Sequence, residues 1–126
     1  MTQEEKQLLL KDLCGRLPYG VIVDVSRVEE WKQLTLTPFI LSNYYDDIEK
    51  IKPYLRPMSS MTEKEKKVYD KLRMNYYKLF STESSSNLID WLNEHHFDYR
   101  VDPETGKSMI DMELAIEAPG DMYKTE

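Results

Sequence analysis

The spacing of apolar residues changes twice along this chain, and that change restricts the fold more than any other feature. Leu9, Leu10 and Leu13 recur at helical spacing. Val21, Val23 and Val25 then alternate with Ile22 and Asp24, the period of a strand built from β-branched residues. Helical spacing returns at Tyr69, Leu72, Tyr76 and Leu79, which fall at i, i+3, i+7 and i+10. A chain patterned helix, then strand, then helix is expected to be α+β.

The boundaries follow from local chemistry. Thr2 with Glu5 has capping-box spacing and opens a helix over about residues 3–14. Gly15 is expected to stop it, and Cys14 to pack as a small apolar residue. "WKQLTLT" and "FILSN" read as two more short strands, with Pro38 at the turn between them. "DDIEKIKPYL" reads as a fourth strand or a helical turn. These segments predict a small antiparallel sheet, or an SH3-like open barrel. Pro53 and Pro57 hold their segment extended, because each disfavours helix at the residue before it. Thr62 with Glu65 forms a second capping box and starts a helix over 63–80, with Val68 and Phe80 widening its apolar face and Glu63–Lys67 as an i,i+4 pair. The serine-rich "STESSSN" reads as a loop, and Ser86 as the cap of a helix over 87–96, antiparallel to the preceding one. "VDPETGK" is a turn, "SMIDMELAIE" a helical turn followed by an extended piece, and the last residues an irregular tail. The predicted core holds Trp31, Trp91, Leu72, Tyr76 and the alternating valines.

The 126 residues are expected to form one domain, residues 1–126, with enough chain to bury a core without covalent staples. No run of about 18 apolar residues marks a membrane span, and the acidic start "MTQEEKQ" is unlike a secretory signal. A lone cysteine excludes an intrachain disulfide, and a cytoplasmic setting is expected.

Few residues are candidates for chemistry. Asp90, Glu94, His95, His96 and Asp98 are metal-ligand types on one short stretch. Adjacent histidines on a helix point about 100° apart, so they do not share one ion, and no second cluster completes a site. His95 is expected to be half-buried and His96 to cap the helix end. The four glycines are isolated, which excludes a phosphate-cradling loop, and no nucleophile elbow is present. The pattern therefore predicts no catalytic residue, no metal and no cofactor.

Charge is the remaining signal. Net charge is −6, yet residues 63–80 are net +3 and residues 102–126 net −5. The simplest expectation is that these segments neutralise each other in the fold. From Lys50 to Phe80 nine bases are interleaved with tyrosines, a composition that also suits nucleic acid, although the overall acidity opposes nonspecific binding to it. Within this stretch Lys52, Tyr54 and Arg56 alternate along a stiff, proline-held segment. They form the candidate partner-binding row, with a protein as the expected partner. The oligomeric state is not legible in these residues.

Three blocks, "KPYLRPMSSMTEKEK", "LIDWLNEHHFDYR" and "LAIEAPGDMY", resemble small proteins of phages, prophages and mobile elements of gut Bacteroidales. Nearly the whole chain takes part in the resemblance, from the "LCGRLPYGV" turn onward. The stretch "VDPETGKSMIDM" departs from it as a longer connection. The resemblance implies a mobile-element context and a bacterial cytoplasm, and it implies no activity. The function it suggests is that of a noncatalytic accessory or interaction protein.

Overall fold

The computed structural model describes residues 1–25, 33–79 and 81–123, so Trp31 and Phe80 lie outside the described residues. The protein is α+β. Helix α1 spans Gln3–Arg16, with the Thr2–Glu5 capping box formed in both directions at 2.8 and 3.1 Å. It runs past the expected stop at Gly15. A Cβ at that position would lie 3.1 Å from the guanidinium of Arg100, so glycine serves close approach there and not helix termination. Its buried face is Leu9, Asp12, Leu13 and Arg16, at i, i+3, i+4 and i+7. Cys14 points away from that face and is exposed, contrary to the expectation of packing.

Strand β1 (Ile22–Val25) pairs antiparallel with β2 (Leu34–Thr35) and with β3 (Ile51–Pro57). Between β2 and β3 lies helix α2 (Pro38–Asn43), where "FILSN" was expected to be a strand. Local chemistry decides the matter. Thr37 accepts a hydrogen bond from Ile40 N at 3.2 Å, and Pro38 occupies the first helical position, where its missing N–H costs nothing. "DDIEKIKPYL" divides into a 3-10 turn at Ile48–Lys50 and then β3.

The chain leaves β3 at Pro57 and forms α3 (Glu63–Leu79) and α4 (Thr82–Glu94), which pack on each other. The Thr62–Glu65 box starts α3 as expected, at 3.0 and 3.1 Å. The serine-rich stretch expected to be a loop is instead the first turn of α4. Ser81, not Ser86, is the cap, accepting from Ser84 N at 3.0 Å. Ser84 is buried, and its hydroxyl donates to Ser81 O at 3.0 Å.

The chain re-enters the sheet as β4 (Phe97–Asp98), parallel to β3 in the register Arg56↔Phe97 and Pro57↔Asp98. Strand β5 (Ile116–Glu117) is also parallel to β3, in the register Tyr54↔Ile116 and Leu55↔Glu117. The sheet is therefore mixed, not antiparallel. The cause is the connection: two antiparallel helices return the chain beside the strand it left, which a tight hairpin cannot do for a parallel neighbour. Arg56 N donates to His96 O at 2.8 Å, while Ala118 N donates to Leu55 O at 2.8 Å. Successive residues direct their backbone groups to opposite edges, so β4 and β5 flank β3 on different sides. Among the described strands the order β2-β1-β3-β4 is an open path, and it does not close into a barrel.

The main core gathers α1, β1, α2, β3 and the segment 109–115. Leu9, Leu13, Val21, Val23, Val25, Ile51, Leu55 and Met109 are fully buried in it. The valines are core, as expected. Leu72, Tyr76 and Trp91 are only half-buried and lie outside this cluster; α3 packs chiefly on α4, and Trp91 stacks on Phe97 of β4. "SMIDMELAIE" is a turn followed by the extended β5, as its sequence suggests.

Candidate functional site

Buried polar groups come first, since an unused one would be the best sign of chemistry. Asp12 and Arg16 are both fully buried one helical turn apart, with Nε to Oδ2 at 2.8 Å. Arg100 reaches the other carboxylate oxygen at 2.9 Å, and Arg16 Nη2 donates to Phe97 O at 2.6 Å. This cluster ties α1 to β4 and to the chain beyond it. Asp98 is buried and accepts from Met109 N at 3.2 Å and Ile110 N at 2.9 Å. Burial raises its pKa, and these backbone donors oppose the rise. Its carboxylate holds the 108–112 turn against β4.

The acidic and histidine residues of 90–98 diverge. Asp90 and Glu94 are exposed on α4. His95 is half-buried with Nδ1 2.9 Å from Trp91 O, and it is the C-terminal cap. His96 does not cap the helix with its side chain. Its backbone is left-handed at φ 63°, which turns the ring inward onto Tyr123 at 3.7 Å between centroids. Burial first, and then the cations Arg16, His95 and Arg56, push its pKa down to about 4. Tyr123 in turn donates to Tyr54 O and accepts from Ile22 N, both at 2.8 Å, pinning the C-terminal segment across β1 and β3. Burial pushes its phenol up to about 12. Among the described residues no three His, Cys, Asp or Glu side chains converge to hold a metal.

Lys52, Tyr54 and Arg56 share one face of β3, as their alternation requires, but they are unequally accessible. Lys52 is half-buried and Tyr54 only 8% exposed. Arg56 is held by both carboxylate oxygens of Glu65, at 2.8 and 2.7 Å, and its guanidinium lies 4.2 Å from the centre of the Phe97 ring. Phe97 stacks on Trp91 at 5.7 Å and Trp91 on Tyr69 at 6.3 Å. Arg56 thus begins an aromatic column that joins the helical hairpin to the sheet. The Arg56 contact is the main reason Glu65 has its pKa lowered to about 2. A cleft of about 390 Å³ opens beside this pair, with Ser60, Thr62, Pro119 and Tyr123 on its walls.

The outer face of α3 is different in kind. Lys64, Lys67, Lys71 and Lys78 are all exposed, and none takes part in an ion pair among the described residues. The expected Glu63–Lys67 pair is not formed, and Asp70 turns to Arg73 at 3.5 Å. Nor does the acidic segment 102–126 neutralise this helix: no ion pair joins the two among the described residues. Met74 is 53% exposed within the lysine row, Val68 39% exposed at its margin, and Tyr77 58% exposed farther round the helix. The sequence contains these lysines openly. Its helical spacing also puts Tyr69 and Tyr76 on the opposite, apolar face, and in the structure both are half-buried.

Comparison with family models, with curated proteins and with solved structures finds no match to this chain. Among the described residues no helix is long and apolar enough to cross a membrane.

Proposed function

We propose that this is a noncatalytic interaction protein of a phage or other mobile element, working in a bacterial cytoplasm and binding a protein partner through the α3–α4 hairpin. The observation that carries the reading is the outer face of α3, where four exposed lysines with no ion pair among the described residues surround an exposed methionine. The hairpin contributes nothing to the main core cluster, so the body of the protein presents it rather than depends on it. The buried acids support the reading from the other side: Asp12 and Asp98 are each bound to two or more donors within the protein, which leaves them structural. The cytoplasmic and mobile-element parts rest on the lone cysteine and on the sequence blocks described above.

A photo-crosslinking amino acid at position 74, expressed in the native host, tests the proposal. The expected outcome is one discrete protein adduct, with none from the same group placed at the exposed position 14 of α1. No adduct from position 74, or the same adducts from both positions, overturns it.

A further inference from the structure

Four of the five lysines of α3 follow a heptad rule, Lys66 being the exception. Lys64, Lys71 and Lys78 are spaced seven apart, and Lys67 and Met74 form a second ladder between them. Together they occupy a, d, a, d, a of two heptads, the spacing by which one helix presents a seam to another. At about 1.5 Å rise per residue the row from Lys64 to Lys78 is about 21 Å long, or roughly four turns.

The arrangement is locally unfavourable. Lys67 and Lys71 are like charges at i,i+4, and Lys64 and Lys67 at i,i+3, positions where opposite charges would stabilise the helix. The acids of α3 relieve them little: Glu65 is taken by Arg56, Asp70 pairs with Arg73, and Glu63, one turn before Lys67, does not close to an ion pair with it among the described residues. A rule broken without compensation inside the fold points to compensation from outside it.

We infer that this row is the seat of an acidic, amphipathic helix of a partner protein, its carboxylates on Lys64, Lys67, Lys71 and Lys78 and its apolar edge on Met74 and Val68. The inference rests on the interaction reading above and names the chemistry of the partner. Charge complementarity selects an acidic occupant, and heptad spacing selects a helical one. A nucleic acid fits less well. Tyr69 stacks on Trp91, exposed Tyr77 lies off the row on another side of the helix, and Arg73, the arginine of this helix, is also off the row and is paired. Exposed Met74 in the middle of the row has nothing to meet on a phosphate backbone, whereas an amphipathic helix covers it.

Fluorescence anisotropy with four labelled probes tests the inference on the full chain. The probes are a three-heptad peptide with leucine at a and d and glutamate at e and g, poly-L-glutamate of equal length, a 21-base-pair DNA duplex and a single-stranded 21-mer. The heptad peptide is expected to bind most tightly. Replacing the four lysines by glutamine is expected to weaken it about tenfold, the product of four exposed charge pairs of ordinary strength. Met74→Ser is expected to weaken it severalfold while leaving poly-L-glutamate binding unchanged. A thermal melt of each variant confirms that it folds. The inference is overturned if either DNA binds as tightly as the heptad peptide, if poly-L-glutamate does so, or if the four-lysine variant retains full binding. A position-74 adduct in the host together with no heptad-peptide binding would refute this inference and leave the interaction reading standing. Absence of the adduct would remove both.

Discussion

The body and the hairpin of this protein treat charge in opposite ways. In the body, Asp12 and Arg16 are withdrawn fully from water and paired within 3 Å, with Arg100 completing the cluster. On α3 four lysines of one sign stand in water without partners among the described residues. Apolar residues divide the same way: Leu9, Leu13 and the valines of β1 are fully buried, while Leu72, Tyr76 and Trp91 are half-exposed. A buried pair is costly to break, because the remaining charge stays desolvated. An exposed row is inexpensive to change, because water screens it. The difference separates a region built to hold a shape from one whose outer surface can change at little cost in stability.

The largest effect expected is from Asp12→Ala, which strands Arg16 in the interior. Chemical denaturation should show a loss of about 3–5 kcal/mol, and a change below about 1 kcal/mol would break the comparison at its strongest point. Next, Leu13→Ala should cost about 2–5 kcal/mol as a cavity in the core. Leu72→Ala should cost only about 1 kcal/mol, since its site already meets solvent. Equal costs would mean that the hairpin is as tightly packed as the body.

Acid titration separates the two regions by pH. His96 has a folded pKa of about 4, below its ordinary 6.5. In that window the unfolded chain takes up a proton that the folded protein refuses, so stability is lost as pH falls from 6.5 to about 4. His96→Phe keeps a ring on Tyr123 and should flatten this limb of a melting-temperature profile. Glu65, at about 2 against an ordinary 4.5, acts lower. Its stabilising contact with Arg56 is intact above 4.5 and is lost as pH falls from there toward 2. Glu65→Gln should remove that second limb alone. If the two variants alter the same limb, the junction and the hairpin do not titrate separately.

The smallest effect has the opposite sign. Lys71→Glu places an acid four residues after Lys67, with no other acid at i±3 or i±4, and should stabilise α3 by about 0.2–0.5 kcal/mol. A loss of stability instead would show that Lys71 is held by the fold and that the row is not a freely variable surface.

How much of this was legible in the sequence depended on the range of the forces involved. The caps at Thr2–Glu5 and Thr62–Glu65, the strand at 22–25 and the proline-held extension of β3 follow from neighbours within a few residues, and the sequence alone determined them. Thr37 and Ser81 carried equally local signals, a cap followed by proline and a cap followed three residues later by serine. The short apolar run of "FILSN" and the serine-rich composition of 81–87 obscured them. The α3 lysines were legible as the solvated face opposite the Tyr69–Leu72–Tyr76 stripe, but whether the acidic C-terminal segment meets them was not. Which face of a helix remains in water is decided by what packs on the other face, and here that is α4. The same holds for Arg56, which reads as a free cation in an extended strand until Glu65 and Phe97 are brought to it from two other elements. Only the tertiary structure decided that β4 and β5 run parallel to β3, that Asp12 and Arg16 are buried, and that among the described residues the acidic C-terminal segment forms no ion pair with α3. Each depends on segments far apart in sequence meeting in space, and no local propensity encodes that meeting.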